Sequence, residues 1–429
     1  LSQDKESGGL ARGKPSGHCA GLPAGSAIHS IAAMNDSAPS ALSRTLVDAI
    51  RPEIKALPES GIVEVVNYAR TRKDLVALWV GEGDKPTPAF INKAAMDALN
   101  RGETFYTYQR GIPPLRRALA DYLSRSYAAK IDPERIFVTV GGMSAIKETI
   151  QMLVNPGDEV VVPSPCWPNV AAAVDIMAGV VTPVLLTFGN RGWTLDIERV
   201  MAAVTPRTKI IFINSPGNPT GYMMTREEQK ALLDFARKRG IWIVADEVYG
   251  RLVYDRKAAP SFLEIADPDE RVIVVNTFSK NWAMTGWRMG WVVASKQLGQ
   301  VYENLVQYNT SGVASFLQYG AVAALNEGDA FLAEQVARCA KGREMVTETF
   351  ARLPRVRYAP PEGAFYAFFS VEGKPDARAL AFELVDRANV GLAPGTAFGP
   401  GAPDFLRLCF ACSLDRLGEG LARLEKALK

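Results

Sequence analysis

The chain has 429 residues, 48% hydrophobic and 22% charged, and 49 basic against 46 acidic side chains leave a formal net charge of +3. That length exceeds one simple core and points to two or more domains. The near balance of charge gives no reason to expect a nucleic-acid or anionic-membrane partner, and no apolar run reaches the ~18 residues of a membrane span.

Residues 1–33 are rich in Gly, Ser, Ala and Pro and lack helical or strand periodicity. They read as a disordered tail, or as sequence upstream of a native Met34. No basic segment followed by an apolar core marks a signal peptide, so a cytoplasmic protein is expected. Gly8 to Lys14 nearly spells a phosphate-binding loop, but Pro15 stands where a hydroxyl is required and no strand precedes it. Both histidines, His18 and His29, precede Met34. A protein starting at Met34 therefore has no Ser-His-Asp or Cys-His catalysis and no His-ligated zinc, and no metal site is expected. Its general base has to be Lys, Tyr, Asp or Glu. The five cysteines, Cys19, Cys166, Cys339, Cys409 and Cys412, are scattered and odd in number, unlike a secreted disulfide framework. Cys409 and Cys412 form a C-x-x-C in a strand-like run, without a redox context, and read as core fillers.

From there the chain alternates. Leu115, Leu119, Tyr122 and Leu123 recur at helical spacing behind Pro113-Pro114, a good helix start. Ile136 to Val140 reads as a strand, followed by Gly141-Gly142 and a helical stretch from Ser144. Glu159 to Pro163 is another strand. Val170 to Leu186, broken by Asp175, Gly179 and Pro183, reads as helix, turn and strand. Ile210 to Ile213, Ile241 to Ala245 and Val272 to Val275 are short apolar runs bounded by turn signals, the pattern of buried parallel strands. Thr225 to Arg239 is an amphipathic helix between the first two. A long helix is predicted from about Gly328 towards Leu353, then a strand-and-helix set closing with a helix after Asp415. Such alternation predicts an α/β fold with a mostly parallel sheet and helices on both faces.

The three apolar runs are each followed by chemistry-bearing residues: Asn214-Ser215-Pro216-Gly217-Asn218-Pro219-Thr220-Gly221, then Asp246-Glu247-Val248-Tyr249, then Thr277-Phe278-Ser279-Lys280 with Arg288 eight residues on. In open α/β sheets ligands bind at the carboxyl ends of the strands, so these groups are expected to converge. An amine, a buried carboxylate, a phenol, an amide, hydroxyls and a guanidinium suit pyridoxal phosphate. With N-P-T-G, D-E-V-Y, S-K followed by Arg, and a late R-L-x-F in that order, the chain from about residue 50 resembles the class I and II aminotransferases of pyridoxal-phosphate fold type I.

The resemblance implies a large cofactor domain, 86–327, with a mixed, mostly parallel sheet. It also implies a smaller α/β domain that joins the N-terminal segment 34–85 to residues 328–429. Lys280 is expected to hold pyridoxal phosphate as a Schiff base and then to move a proton as the free amine. Asp246 pairs with the pyridine nitrogen, and Tyr249 and Asn218 with the ring oxygen. Arg288, Thr277, Ser279 and the backbone N–H groups of Gly142 and Met143 hold the phosphate. Tyr106 reaches it from the neighbouring subunit of a homodimer. Trp167 stacks on the ring. Arg407 grips the substrate α-carboxylate bidentately, beside Gly81. Asn218 and Trp167 also border the substrate, and Ile62 is one candidate wall. The implied reaction moves an amino group from an L-amino acid to a 2-oxo acid by a ping-pong route.

Three alternatives remain at this level. Elimination or an aminocyclopropanecarboxylate-synthase-like reaction uses the same cofactor motifs. A transcription factor with an aminotransferase-like domain needs a basic helix-turn-helix segment, which residues 1–50 do not show. A nicotinamide enzyme needs a G-x-G-x-x-G after a strand, and none is present.

Overall fold

The computed structural model describes residues 46–429. The expectations for the 1–33 segment, for His18, His29 and Cys19 and for the start at Met34 lie outside the described residues. The described residues fall into two units, 46–50 in the first and Arg51–Lys429 in the second. Of the first, residues 46–50 make a short, exposed helical turn.

The second unit is built on a seven-stranded sheet. Its strands are β1 (Ile136–Thr139), β2 (Glu159–Ser164), β3 (Val180–Leu185), β4 (Thr208–Asn214), β5 (Trp242–Asp246), β6 (Val272–Thr277) and β7 (Gly290–Val293), in the order β1-β7-β6-β5-β4-β2-β3. All neighbours are parallel except β7, which runs antiparallel to both β1 and β6. This is the expected mixed, mostly parallel α/β sheet.

Both faces of the sheet are buried over its central strands, which is why these read as unbroken apolar runs, while the edge strand β3 is mostly exposed or half-buried. Ile211, Ile213, Ile243, Ala245 and Val274 face one core, with Leu115 and Leu119 of α1 (Pro113–Ser126). Ile210, Phe212, Val244, Ile273 and Val275 face the other, with Ala145, Ile146 and Ile150 of α2 (Gly141–Leu153) and Val170 and Val174 of α3 (Asn169–Ile176). The alternation follows the period of two along each strand. The helix expected from Ser144 begins three residues earlier, and its strand ends at Thr139, not Val140. Gly141 and Gly142 belong to the first turn of α2.

The helix α4 (Arg226–Arg239) carries the amphipathic segment. Thr225 Oγ1 accepts from Glu228 N at 3.2 Å and Glu228 Oε2 accepts from Thr225 N at 2.7 Å, a reciprocal capping box. Gly240 ends it at φ 67°.

A third core forms around the four-stranded sheet of β8 (Val356–Arg357), β9 (Tyr366–Val371), β10 (Ala393–Pro394) and β11 (Phe405–Cys409), in the order β8-β9-β11-β10. The long helix α5 (Asp329–Ala351) and the last helix, α6 (Leu414–Leu428), bury Leu332, Val346, Leu417 and Leu424 in it. Val76–Ala77 pairs in parallel with Val390–Gly391, bringing the N-terminal segment into this layer. Among the described residues no helix is long and apolar enough to cross a membrane, and no cluster of His, Cys, Asp and Glu could hold a metal ion. Cys166, Cys339, Cys409 and Cys412 are buried and unbridged.

Candidate active site

The carboxyl ends of β4, β5 and β6 lie side by side, with Asn214 directly opposite Asp246 and Asp246 opposite Val275. Each strand therefore delivers the loop that follows it to one place, as the strand order predicts. Lys280 stands in the short helix Phe278–Asn281 after β6. Its Nζ donates to the Gly81 carbonyl at 2.7 Å and lies 5.8 Å from the Tyr249 ring centre. Burial drives its pKa down to about 8, so near neutrality an appreciable fraction is the nucleophilic free amine.

Asp246 is buried at the last position of β5. One oxygen accepts from Val248 N at 3.3 Å, and among the described residues it makes no ion pair. Burial raises its pKa to about 7. A carboxylate held in this way lacks a cation, which a pyridinium nitrogen supplies. The neighbouring Glu247 points to the opposite face, where it accepts from Ser261 Oγ at 2.6 Å and Phe262 N at 3.0 Å; it supports the loop and not the site.

Asn218 is fixed from two sides. Its N–H donates to Asn214 Oδ1 at 2.8 Å, and its own Oδ1 accepts from Arg407 Nη1 at 2.8 Å. Arg407 is buried on β11, and its Nη2 donates to the Trp79 carbonyl at 2.5 Å. Its Nε is buried with no partner. The guanidinium carbon lies 4.4 Å from the Tyr366 ring centre and 4.7 Å from that of Phe398. A buried cation with a spare donor and no carboxylate is a ready seat for an anionic ligand.

The phosphate candidates gather at the N-terminus of α2. Gly141 has φ 78°, and a Cβ there would sit 2.6 Å from Arg288 Nη2, so only glycine lets the guanidinium close over the helix start. Arg288, itself at φ 50°, is otherwise exposed and donates through Nη1 to Thr285 O at 2.8 Å. Thr277 Oγ1 lies 2.9 Å from Ser279 Oγ, and Gly142 packs beside Thr277. Helix N–H groups, two hydroxyls and a guanidinium make a fitting cradle for a phosphate. Met143 and Trp167 are partly buried against the same sheet face, Trp167 in the loop after β2. Tyr106, at 93% exposure, is not drawn in with these groups.

Sequence reasoning missed Tyr366. Its hydroxyl lies 2.7 Å from that of Tyr249 and its ring lies against Arg407. Its only sequence signal is a tyrosine opening a strand in Gly363-Ala364-Phe365-Tyr366.

The family model for aminotransferase class I and II matches residues 73–424. The chain belongs to that family. This aminotransferase is 37% identical over 364 residues to a probable aspartate/prephenate aminotransferase of Aquifex aeolicus, covering 83% of this chain and 91% of the relative. It is 35% identical over 356 residues to an aspartate aminotransferase of Thermotoga maritima, covering 83% and 92%. Among solved structures, a Thermus thermophilus aspartate aminotransferase mutant superposes with a TM-score of 0.83 at 33% identity, covering 88% of this chain and 99% of that one. The aminotransferase is a pyridoxal-phosphate-dependent enzyme of fold type I, and the elimination and synthase alternatives find no support among these relatives.

Proposed function

We propose that this aminotransferase works by a ping-pong transfer at Lys280, and that its donor is an acidic L-amino acid of the aspartate class. The observation that carries the site assignment is the Lys280 amine, depressed to about 8, between the buried Asp246 and the buried Arg407. The relatives named for aspartate support the substrate class. When bound, pyridoxal phosphate supplies an aldehyde that captures amines and a ring that accepts electron density.

The chain's own groups do the rest. Asp246 would hold a positive charge on the pyridine nitrogen, and Tyr249 and Asn218 would donate to the ring oxygen. Gly142 and Met143 N–H, Thr277, Ser279 and Arg288 would anchor the phosphate, and Trp167 would cover the ring. Arg407 orients the substrate by its α-carboxylate, next to Gly81, so that the Cα–H faces Lys280. Lys280 Nζ would take that proton and return it on the cofactor side of the substrate nitrogen. With one water consumed to supply the oxo oxygen, the products are a 2-oxo acid and an enzyme holding the amino group for a second 2-oxo acid.

A division into segment 34–85, large domain 86–327 and small domain 328–429 is supported by the separate sheets within 136–293 and 356–409. A homodimer, completed by Tyr106 of each partner, is supported by the exposure of Phe105 and Tyr106.

The test is chemical. Borohydride treatment of the loaded enzyme should attach the cofactor to the peptide containing Lys280, and label on another lysine refutes the site. Mixing the enzyme with single amino acids and following its absorbance should show aspartate or glutamate reacting fastest; equal rates with neutral residues refute the donor class.

A further inference from the structure

We propose that Tyr366 is a positioning residue for transamination: its ring holds the Arg407 guanidinium flat, and its hydroxyl sets the direction of the Tyr249 proton. The inference rests on Arg407 as the carboxylate clamp and Tyr249 as the ring-oxygen donor.

The strand register puts these groups together. Tyr366 lies opposite Cys409, and Phe368 opposite Arg407, so Tyr366 and Arg407 are diagonal neighbours on one face of the small sheet. Both are buried. With Nη1 committed to Asn218 and Nη2 to Trp79, the guanidinium is held at its edge. The Tyr366 ring, 4.4 Å away, supplies the face. A cation over an aromatic face out of water gains more than an exposed one, because no water competes.

The hydroxyl has a separate task. It lies 2.7 Å from Tyr249 Oη, and either oxygen can donate across that contact. Once Tyr249 gives its proton to a cofactor oxygen, only the Tyr366 proton can fill it. A phenol that accepts one hydrogen bond donates another more strongly. The hydroxyl has little room to turn elsewhere: a Cβ on Gly81 would stand 2.4 Å from it. Gly81 is also the residue whose carbonyl receives Lys280. One side chain thus touches the substrate clamp, the ring-oxygen donor and the backbone that positions the lysine.

The charged and titratable groups facing the Tyr249–Tyr366 pair are Lys280, Asp246 at the end of β5, Arg407 and Cys409 on β11, and Glu82 from the 80–83 loop. Tyr366→Phe leaves all of them in place. It removes the donor to Tyr249, so the ring oxygen keeps more negative charge and retains nearby protons to higher pH. The midpoint of the pH-dependent absorbance change of the bound cofactor should rise by roughly 0.5–1 pH unit. The double variant Tyr249→Phe/Tyr366→Phe should show no rise beyond that of Tyr249→Phe alone, as expected if Tyr366 acts through Tyr249.

Tyr366→Leu should in addition weaken binding of a non-reacting carboxylate, succinate or propionate, about tenfold, while Tyr366→Phe, which keeps the ring, binds it nearly as the parent does. A Tyr366→Phe midpoint equal to the parent's, with Tyr249→Phe shifted, overturns the hydroxyl role. Parental carboxylate affinity in folded Tyr366→Leu overturns the role of the ring. If Tyr249→Phe itself leaves the midpoint unmoved, the failure belongs to the reading of Tyr249.

Discussion

At the scale of single residues, Arg407 and Asp246 make opposite demands on the fold. Arg407 is a cation whose Nη1 and Nη2 each make one hydrogen bond while its Nε is buried without a partner. Removing one member of a buried charge pair costs roughly 2–5 kcal/mol. Arg407→Ala should therefore lower kcat/KM about 30- to several-thousand-fold for every amino acid tested. Arg407→Lys should recover only part, because an ammonium cannot reproduce the planar fork. Cofactor affinity, measured by fluorescence titration, should barely change. Asp246 is an acid whose pKa rises from the usual 3.8 to about 7 on burial. In the cofactor-free protein the folded state then holds a proton that the unfolded chain has already lost. Stability should fall as pH rises from about 4 to about 7, by up to a few kcal/mol. Denaturant midpoints across that range should show the fall, and Asp246→Asn should flatten it in part, since Glu247 is also raised to about 7. The loaded enzyme should lack the Asp246 component, because a pyridinium restores its charge.

At the scale of elements, the capping box of α4 offers a clean local test. Thr225→Ala removes one side of a reciprocal pair and should cost about 1 kcal/mol, read as a lower urea midpoint with no change in aspartate turnover. Elements of this kind were legible in the sequence because their signals are local: the cap precedes an apolar period, and the buried strands are short apolar runs between turns. The convergence of Asn218, Asp246 and Lys280 was legible for the same reason, since parallel neighbours end at the same edge. Tyr366 was not. It lies in an almost wholly apolar strand, and its meaning depends on pairing with β11 some forty residues later and on Tyr249 far upstream. The helical stretch of α2 reads three residues late because glycine is a weak helix former, whereas here a Gly-Gly pair opens the helix beneath Arg288.

At the scale of the whole molecule, Phe105 and Tyr106 are 84% and 93% exposed. They are the groups on which the proposed contact with a second subunit rests. If Tyr106 completes a neighbour's site, mixing Lys280→Ala with Tyr106→Phe subunits should regenerate activity after exchange. Each hybrid then holds one site with both parental residues. A fully active monomer by sedimentation, or no recovery on mixing, counts against this assembly.

The attachment of Arg407 to Trp79 and Asn218 also bears on how the enzyme can change. Three distant stretches of chain meet at one guanidinium, so a mutation there alters folding and chemistry at once. Lineages that shift to new amino acids are expected to leave Asn218 and Arg407 alone and to vary side chains outside this junction. Laboratory selection for a neutral amino donor should follow the same route: accepted substitutions should fall away from this junction, and Arg407 should survive every round.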